Sequence, residues 1–380
     1  MKNKNQKIKF CAVVVLLITC YLSVLFKPTK VYAEYETSAK AMIVLEQNSG
    51  RVILQKNIHQ KLAMASTTKI VTALTVLNNC KNINQIVKIH NGAVGVPGTS
   101  IYLKHGEEIT VKELLYGMML PSGNDAATAL AYYVGGTIEQ FCTLMNECAV
   151  NLGAVNSRFK NPHGLDEAGH YTTAYDLAVI TAQALKNETF KQIVTTKSTR
   201  IKGSSIGSYR YLKNKNKLLN TLDGCIGVKT GFTNNAGRCL VSATQKNGTT
   251  YVCVCLNCGP MFEESASALN FANENYLNVE LLPEYKIVKP VTVNDGKVEY
   301  VKVYSKRSFY YPLTASEASR IEYRYNLPNS IDAPVKKDEV VGQIEIYLDN
   351  HLLFSEKVYT INSVQKIGVW SNIQDIISNW

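Results

Sequence analysis

Residues 64–71 read Met64-Ala65-Ser66-Thr67-Thr68-Lys69-Ile70-Val71. The positions after Lys69 are apolar nearly all round as far as Leu77, which predicts a buried helix. Residues three apart share a helix face, so the Ser66 hydroxyl and the Lys69 amine can meet. Apolar neighbours disfavour an ammonium ion and lower its pKa, and a neutral amine can deprotonate Ser66 to make a nucleophile. The alternative is that Ser66 only caps the helix and Lys69 is solvated.

A second short motif lies where one predicted helix ends and another begins. Residues 111–120 have a helical pattern that stops at the turn Pro121-Ser122-Gly123-Asn124, and the next helix is predicted from Asp125. Such a turn often serves only to cap helices. In the functional interpretation the Ser122 hydroxyl relays protons, and the Asn124 amide holds a peptide carbonyl of the substrate.

A third motif, Lys229-Thr230-Gly231, lies between residues that alternate as strands. Strands are predicted at residues 225–229, 238–243 and 251–256, joined by tight turns into an antiparallel meander. Lys229 and Thr230 supply a cation and a hydroxyl along a strand edge, and Gly231 allows a ligand to approach the backbone closely. The alternative is a polar hairpin without a binding role.

The three motifs occur in the order Ser-Thr-Thr-Lys, Ser-Gly-Asn, Lys-Thr-Gly, a trio typical of penicillin-binding proteins and class A β-lactamases. Residues 38–365 resemble the D-alanyl-D-alanine carboxypeptidases among the low-molecular-mass penicillin-binding proteins. The resemblance implies an α+β fold, in which a five-stranded antiparallel sheet and a helical region form a transpeptidase-like domain. A small β-rich domain follows it.

The resemblance also implies an activity, the removal of the terminal D-alanine from peptidoglycan stem peptides through an acyl-enzyme on Ser66. Lys69 acts as the base, and Ser122 relays the proton to the leaving D-alanine. Asn124, Lys229, Thr230 and Gly231 bind the substrate, and the backbone N–H groups of Ser66 and Phe232 form the oxyanion hole. β-Lactam antibiotics are the implied covalent inhibitors, and no metal or other cofactor is required. Lys215 is a further candidate cation near the substrate carboxylate.

Two rival functions remain at this stage. A β-lactamase would use a glutamate to position the deacylating water, and Glu167 is the candidate in the intervening loop. A catalytically silent wall-binding protein would keep the fold without the reaction. His163 and His170, in the same loop, are interpreted as structural residues rather than catalytic bases.

The first 33 residues have the pattern of an export signal, with a basic start, an apolar run from Phe10 to Phe26, and a cleavage site after Ala33. An uncleaved membrane anchor is the alternative. The formal charge of the chain is +11, and six lysines lie in this segment, which leaves the mature chain at about +5. This mild basicity suits an anionic wall or membrane surface and gives no case for nucleic-acid binding. The predicted location is therefore outside the cell, at the outer face of the cytoplasmic membrane or in the wall.

The remaining domain predictions are a catalytic domain at residues 34–280, a β-rich domain at residues 284–362, and an amphipathic helix at residues 366–380. The apolar residues of that last segment share one helical face and predict contact with a membrane surface, with docking on its own domain as the alternative: Trp370, Ile373, Ile376, Ile377 and Trp380. Eight cysteines follow the signal, and strand alternation places Cys253 and Cys255 on one buried face. Free thiols are favoured there over disulfides or a metal site.

Overall fold

A computed structural model describes residues 35–205 and 207–368. The predicted export signal and residues 369–380 of the predicted C-terminal helix lie outside the described residues. The first nine strands are β1 (Ala41–Glu46), β2 (Val52–Lys56), β3 (Ile86–Lys88), β4 (Glu108–Thr110), β5 (Ser198–Lys202), β6 (Tyr209–Lys213), β7 (Cys225–Thr233), β8 (Gly237–Lys246) and β9 (Thr249–Leu256).

Eight helices accompany these strands. They are α1 (Lys69–Asn79), α2 (Val111–Met119), α3 (Asn124–Gly135), α4 (Ile138–Asn151), α5 (Ala174–Ala184), α6 (Glu188–Thr195), α7 (Leu218–Thr221) and α8 (Met261–Asn275). Short 3₁₀ turns lie at residues 65–68 and 91–93. Side chains fix several helix starts: Thr110 and Glu113 form a capping box at α2, and the Thr173 hydroxyl accepts the Asp176 N–H at α5.

The central sheet has five strands in the order β2-β1-β9-β8-β7, and every neighbouring pair is antiparallel. Strand β9 is buried along its whole length because helices cover the sheet; Val252 and Val254 belong to the same hydrophobic core as α1 and α3. The order leaves β7 at one edge of the sheet. That edge faces the turn that carries Ser66, so the fold brings the first and third sequence motifs together.

A second, β-rich region follows α8. It comprises β10 (Leu277–Leu282), β11 (Ile287–Asn294), β12 (Tyr300–Ser305), β13 (Phe309–Leu313), α9 (Ala315–Ala318), β14 (Ile321–Asn326), β15 (Ser330–Asp332), β16 (Val340–Leu348) and β17 (His351–Thr360). Six of these strands form one sheet in the order β14-β16-β17-β12-β11-β15, and β10 pairs with β13. Their inward side chains, such as Val303, Ile346 and Val358, form a separate core.

The prediction of helices with antiparallel sheets and a β-rich C-terminal region is confirmed, but several element predictions were wrong in detail. The predicted helix at Ser66 is a 3₁₀ turn at residues 65–68, and the α-helix begins at Lys69. Hairpin β5–β6 and the strands β10, β13 and β15 were missed. Strands β5, β6 and β15 are short and largely exposed or half-buried, β10 follows α8 directly, and β13 contains Pro312, a residue that is disfavoured in strands. Residue 366 makes a β-bridge with Gly296 and is therefore not helical.

The cysteines are free thiols in the described part of the chain. Cys253 and Cys255 lie on one face of β9 as predicted, with their Sγ atoms 3.8 Å apart. Both contact the Ser265 hydroxyl of α8 and are fully buried. They act as small packing residues between the sheet and this helix.

Candidate active site

Ser66 and Lys69 lie on one short turn at the centre of the fold. A 3₁₀ helix has three residues per turn, so side chains at positions i and i+3 eclipse each other. Lys69 Nζ accordingly lies 2.9 Å from Ser66 Oγ. The 3₁₀ turn therefore aligns the pair more directly than the predicted α-helix would.

Lys69 is completely buried, and its amine has three hydrogen-bond partners. Besides Ser66, it donates to Asn124 Oδ1 at 2.7 Å and to the carbonyl oxygen of His163 at 2.6 Å. These acceptors come from α3 and from the loop that precedes α5. They hold the amine in one position without supplying a carboxylate partner.

The electrostatics of the site favour a neutral lysine. Burial lowers the pKa of Lys69 well below its ordinary value, and the charges of Lys229 and Lys215 lower it further. The charge of Asp125 raises the pKa of Lys69, but this is the smallest of the four effects, and the Asp125 carboxylate accepts hydrogen bonds from the backbone N–H groups of Ile101 and Leu103. A neutral amine has a free lone pair, so Lys69 can accept the proton of Ser66 Oγ over the observed distance.

The backbone around Ser66 is held in an unusual conformation. Ala65 has a φ of +49°, a region that residues other than glycine seldom adopt. Gly164 packs against it: a Cβ there would lie 1.9 Å from the Ala65 carbonyl oxygen. No sequence pattern marks Gly164 as part of the site, because its role depends on contact with a residue about 100 positions earlier in the chain.

The two loop histidines have the structural roles that the sequence indicated. His170 Nδ1 accepts the Lys160 N–H, and its Nε2 lies 2.9 Å from Thr68 Oγ1. Burial lowers the pKa of His170 to about 4 and that of His163 to about 3. His163 contributes its backbone carbonyl to Lys69, and its ring accepts the Leu165 N–H. Both rings are neutral supports of the Ser66 turn.

The second motif contributes one residue to the cleft and one to Lys69. Ser122 lines the cleft and has a φ of +77°, at the corner between α2 and α3. Asn124 is buried, and its Nδ2 donates to the Pro97 carbonyl oxygen while its Oδ1 accepts from Lys69. The structure thus shows Asn124 positioning the lysine, while its predicted contact with a substrate amide stays a prediction.

The third motif lies on edge strand β7. Lys229 is buried, with its Nζ 3.0 Å from the Thr230 carbonyl oxygen, and burial together with the charge of Lys215 lowers its pKa to about 7. Thr230, Gly231 and Phe232 line the cleft. A Cβ on Gly231 would lie 3.0 Å from both Met64 O and Ser66 N. The glycine is therefore needed for close packing of β7 on the Ser66 turn, in addition to any approach by a ligand.

A cleft with a volume of about 440 Å³ is bordered by Ser66, Ser122, Thr230, Gly231 and Phe232. Its lining includes residues that were not selected from the sequence, because they come from distant segments and belong to no motif: Thr99, Lys217, Arg238, Met261 and Phe262. Lys215 also lines the cleft, and its Nζ lies 3.2 Å from Thr99 Oγ1. The cleft thus combines a nucleophile, hydroxyl groups and several cations, which suits the cleavage of a substrate that carries a carboxylate.

Glu167, the candidate for β-lactamase-type deacylation, is exposed and engaged in its own loop. Its Oε2 accepts a hydrogen bond from Asn161 Nδ2 at 2.9 Å. Asn161 Oδ1 in turn accepts the Gly164 N–H. This carboxylate therefore stabilises the loop that supports Ser66.

Comparisons with known proteins agree with this geometry. The family description D-alanyl-D-alanine carboxypeptidase matches residues 27–259, and that of the penicillin-binding protein 5 C-terminal domain matches residues 276–366. The D-alanyl-D-alanine carboxypeptidase DacF of Bacillus subtilis strain 168 is 30% identical over 356 residues, which cover 92% of this chain and 91% of that protein.

Solved structures give the same result. The D-alanyl-D-alanine carboxypeptidase DacD from Francisella tularensis superposes with a TM-score of 0.69 at 28% identity, covering 90% of this chain and 98% of that one. Penicillin binding protein 5 from Haemophilus influenzae superposes with a TM-score of 0.75 at 25% identity, covering 88% of this chain and 100% of that one.

The fold and the Ser66–Lys69 site define a serine hydrolase. The chain belongs to the D-alanyl-D-alanine carboxypeptidase family, and its enzymatic activity is that of a carboxypeptidase.

Proposed function

We propose that the enzyme removes the terminal D-alanine of peptidoglycan stem peptides through an acyl-enzyme on Ser66, and that β-lactams acylate the same residue. The observation that carries the proposal is the 2.9 Å approach of Ser66 Oγ to a buried Lys69 amine whose pKa is strongly lowered. The similar proteins include D-alanyl-D-alanine carboxypeptidases and a penicillin-binding protein, and they support the choice of substrate and inhibitor.

In the proposed reaction Lys69 accepts the Ser66 proton, and Oγ attacks the carbonyl carbon of the penultimate D-alanine. The backbone N–H groups of Ser66 and Phe232 stabilise the oxyanion, each donor contributing about 3 kcal/mol to the transition state. The C–N bond then breaks, and the leaving amine receives a proton by way of Ser122. Water hydrolyses the resulting ester and regenerates the free hydroxyl of Ser66.

Two measurements test this function. Free D-alanine should appear when the enzyme is incubated with a diacetylated tripeptide that ends in D-Ala-D-Ala. Intact-mass spectrometry should show one penicilloyl adduct on the wild type and none on Ser66→Ala. An adduct that persists on the alanine variant, or a wild type that releases no D-alanine, contradicts the proposal.

We also propose an exported enzyme that acts at the outer face of the membrane, with residues 369–380 as its contact to the lipid surface. The sequence pattern of two tryptophans and three isoleucines supports this proposal. None of the helices within residues 35–205 and 207–368 is long and apolar enough to cross a bilayer. Truncation after Gly368 removes the proposed lipid contact, so it should abolish co-sedimentation with liposomes. It keeps the hydrogen bond from Ile367 N to Asp295 O, so carboxypeptidase activity should persist. Unchanged sedimentation of the truncated protein contradicts the anchoring role.

A further inference from the structure

The positive charge of the chain is concentrated beside the catalytic cleft. The segment from Thr189 to Leu222 contains no aspartate or glutamate, yet it contains eight cations: Lys191, Lys197, Arg200, Lys202, Arg210, Lys213, Lys215 and Lys217. This local excess is larger than the net charge of about +5 expected for the mature chain. The segment is therefore a basic surface, and acidic residues elsewhere provide the overall balance.

Hairpin β5–β6 displays part of this charge on one face. Ser198 pairs with Lys213, and Arg200 pairs with Tyr211 across the two strands. Because side chains two residues apart on a strand share a face, these four side chains lie together. Arg200, Tyr211 and Lys213 are exposed.

Acidic residues from neighbouring elements neutralise only part of the surface. Glu107 forms an ion pair with Arg210, and Glu113 accepts the Lys202 backbone N–H. Among the described residues no salt bridge involves Lys197, Arg200 or Lys213, although the Arg200 guanidinium lies 4.8 Å from the centre of the Tyr209 ring. These three cations are therefore available to an anionic ligand.

The same three cations line an open cavity of about 730 Å³ between the hairpin and α7. This volume lies within the range of about 300–1,000 Å³ that is typical of ligand pockets. Asn216 also lines the cavity and is buried; its Oδ1 accepts the Leu218 N–H, but its Nδ2 has no partner among the described residues. A buried donor without a partner is costly, so a bound acceptor would stabilise it.

The composition of the lining indicates the class of ligand. Ammonium, guanidinium and amide donors recognise carboxylates, whereas Tyr211, Leu212 and Leu219 add an apolar wall that suits a peptide. The cavity also adjoins the catalytic cleft along the chain: Lys215 lines the cleft, and its neighbours Asn214 and Asn216 line the cavity.

We propose that this cavity is a second substrate-binding site, which holds a carboxylate-bearing peptide of the wall polymer while another stem is processed at Ser66. The inference rests on the proposed function for the identity of the polymer. The site raises the affinity for polymeric substrate, and a small peptide that fills only the catalytic cleft does not use it.

The test uses the double variant Arg200→Gln/Lys213→Gln. Its matched control is Lys81→Gln/Lys289→Gln, which removes the same charge at two exposed lysines outside the cavity lining. Binding is measured by co-sedimentation with peptidoglycan sacculi in three forms: untreated, stripped of phosphodiester polymers by hydrofluoric acid, and amidated at their carboxyl groups. Each result is the ratio of the two variants' dissociation constants. Both variants keep the same catalytic cleft, so its contribution cancels.

We expect the double variant to bind untreated and acid-stripped sacculi about tenfold more weakly than the control Lys81→Gln/Lys289→Gln, as the loss of charge-assisted hydrogen bonds implies. The ratio should fall to about one on amidated sacculi. A ratio near one on untreated sacculi overturns the proposal. A ratio that falls to about one on acid-stripped sacculi overturns the proposal and indicates that the cavity binds a phosphate polymer instead.

Hydrolysis of the diacetylated tripeptide separates this inference from the proposed function. The double variant should release D-alanine from it at a rate within about twofold of the wild type, because the tripeptide does not reach the cavity. A parallel tenfold loss on the tripeptide assigns the cations to the catalytic cleft and overturns the second site. A wild type that is inactive on the tripeptide contradicts the proposed function. The sedimentation ratios then test the cavity independently of activity.

Discussion

At the scale of single residues, the proposed reaction depends on two lysines that the fold removes from water. Lys69 and Lys229 are both buried, and no acidic side chain of the described residues lies at hydrogen-bond distance from either amine. Burial disfavours the charged form and therefore lowers the pKa of both lysines. The consequence differs between them. In the proposed reaction Lys69 acts as a base when it is neutral, whereas Lys229 binds the substrate carboxylate when it is protonated.

Replacement of Lys69 tests the first role. Lys69→Arg keeps a positive charge but supplies no neutral amine near pH 7, so acylation by penicillin should fall at least about a hundredfold. Stopped-flow or quenched-flow mass spectrometry measures the rate, with Lys81→Gln as the control. Acylation of the arginine variant at nearly the wild-type rate would show that Lys69 is not the base.

The pH dependence tests the second role. The pKa of Lys229 is lowered to about 7, so in the free enzyme its positive charge is present below pH 7 and is lost as the pH rises through this value. The kcat/KM for a D-Ala-D-Ala peptide, divided by that for its C-terminal amide analogue, should therefore fall about tenfold or more from pH 6 to pH 9.

The ratio removes the titration of Lys69, which affects both substrates alike. Lys229→Gln should give a low ratio that does not change with pH. A wild-type ratio that stays constant across this range would exclude Lys229 as the cation that binds the carboxylate.

At the scale of secondary-structure elements, the site depends on how closely β7 packs against the Ser66 turn. Gly231 permits this approach on one side, and Gly164 permits the approach of the loop on the other. Between them the turn adopts the positive φ of Ala65, an unfavourable conformation that the surrounding contacts maintain. Nucleophile geometry is thus set by two neighbouring segments as much as by the turn itself.

Gly231→Ala should disturb this geometry. The new Cβ would lie 3.0 Å from Ser66 N and Met64 O, so the turn must shift by a few tenths of an ångström or more. We expect the acylation rate to fall about tenfold, less than the hundredfold that a displacement near 1 Å can cause, because the required shift is smaller. Gly259→Ala, where a Cβ meets nothing within 4 Å, is the matched control. Equal acylation rates for the two variants would contradict the packing argument.

At the scale of the whole molecule, Arg51 joins the central sheet to the β-rich region. It extends from the start of β2, donates to the Pro312 carbonyl oxygen, and pairs with Glu317. Its guanidinium also lies about 5 Å from the ring centres of Tyr276 and Tyr311. These contacts are largely buried, so they fix how the two regions meet.

Arg51→Met keeps much of the side-chain volume but leaves Glu317 without its partner. We expect a loss of about 2–4 kcal/mol in the free energy of unfolding, measured by urea denaturation, because breaking a largely buried pair is costly. Carboxypeptidase activity on the tripeptide should persist in the folded protein. Arg324→Met, at an exposed pair, should change stability little. Equal stabilities of the two variants would show that the Arg51 contacts do not hold the regions together.

The resemblance to a known family carried the prediction of the fold class, whereas the sequence itself contained the three motifs and predicted most of the helices and strands around them. These are local properties, because apolar periodicity and turn residues report on neighbours along the chain. Hairpin β5–β6 was not predicted, because polar and basic residues interrupt the apolar pattern of its two strands.

Tertiary structure decided the working geometry. It placed the His163 carbonyl and Asn124 on Lys69, brought Gly164 and Gly231 against the Ser66 turn, and gathered Lys197, Arg200 and Lys213 around one cavity. The contacts of Lys69 with Asn124 and His163 join residues that are 55 and 94 positions apart in sequence. Burial, distance and the pKa shifts that follow from them exist only once distant segments pack together, so no local pattern could have determined them.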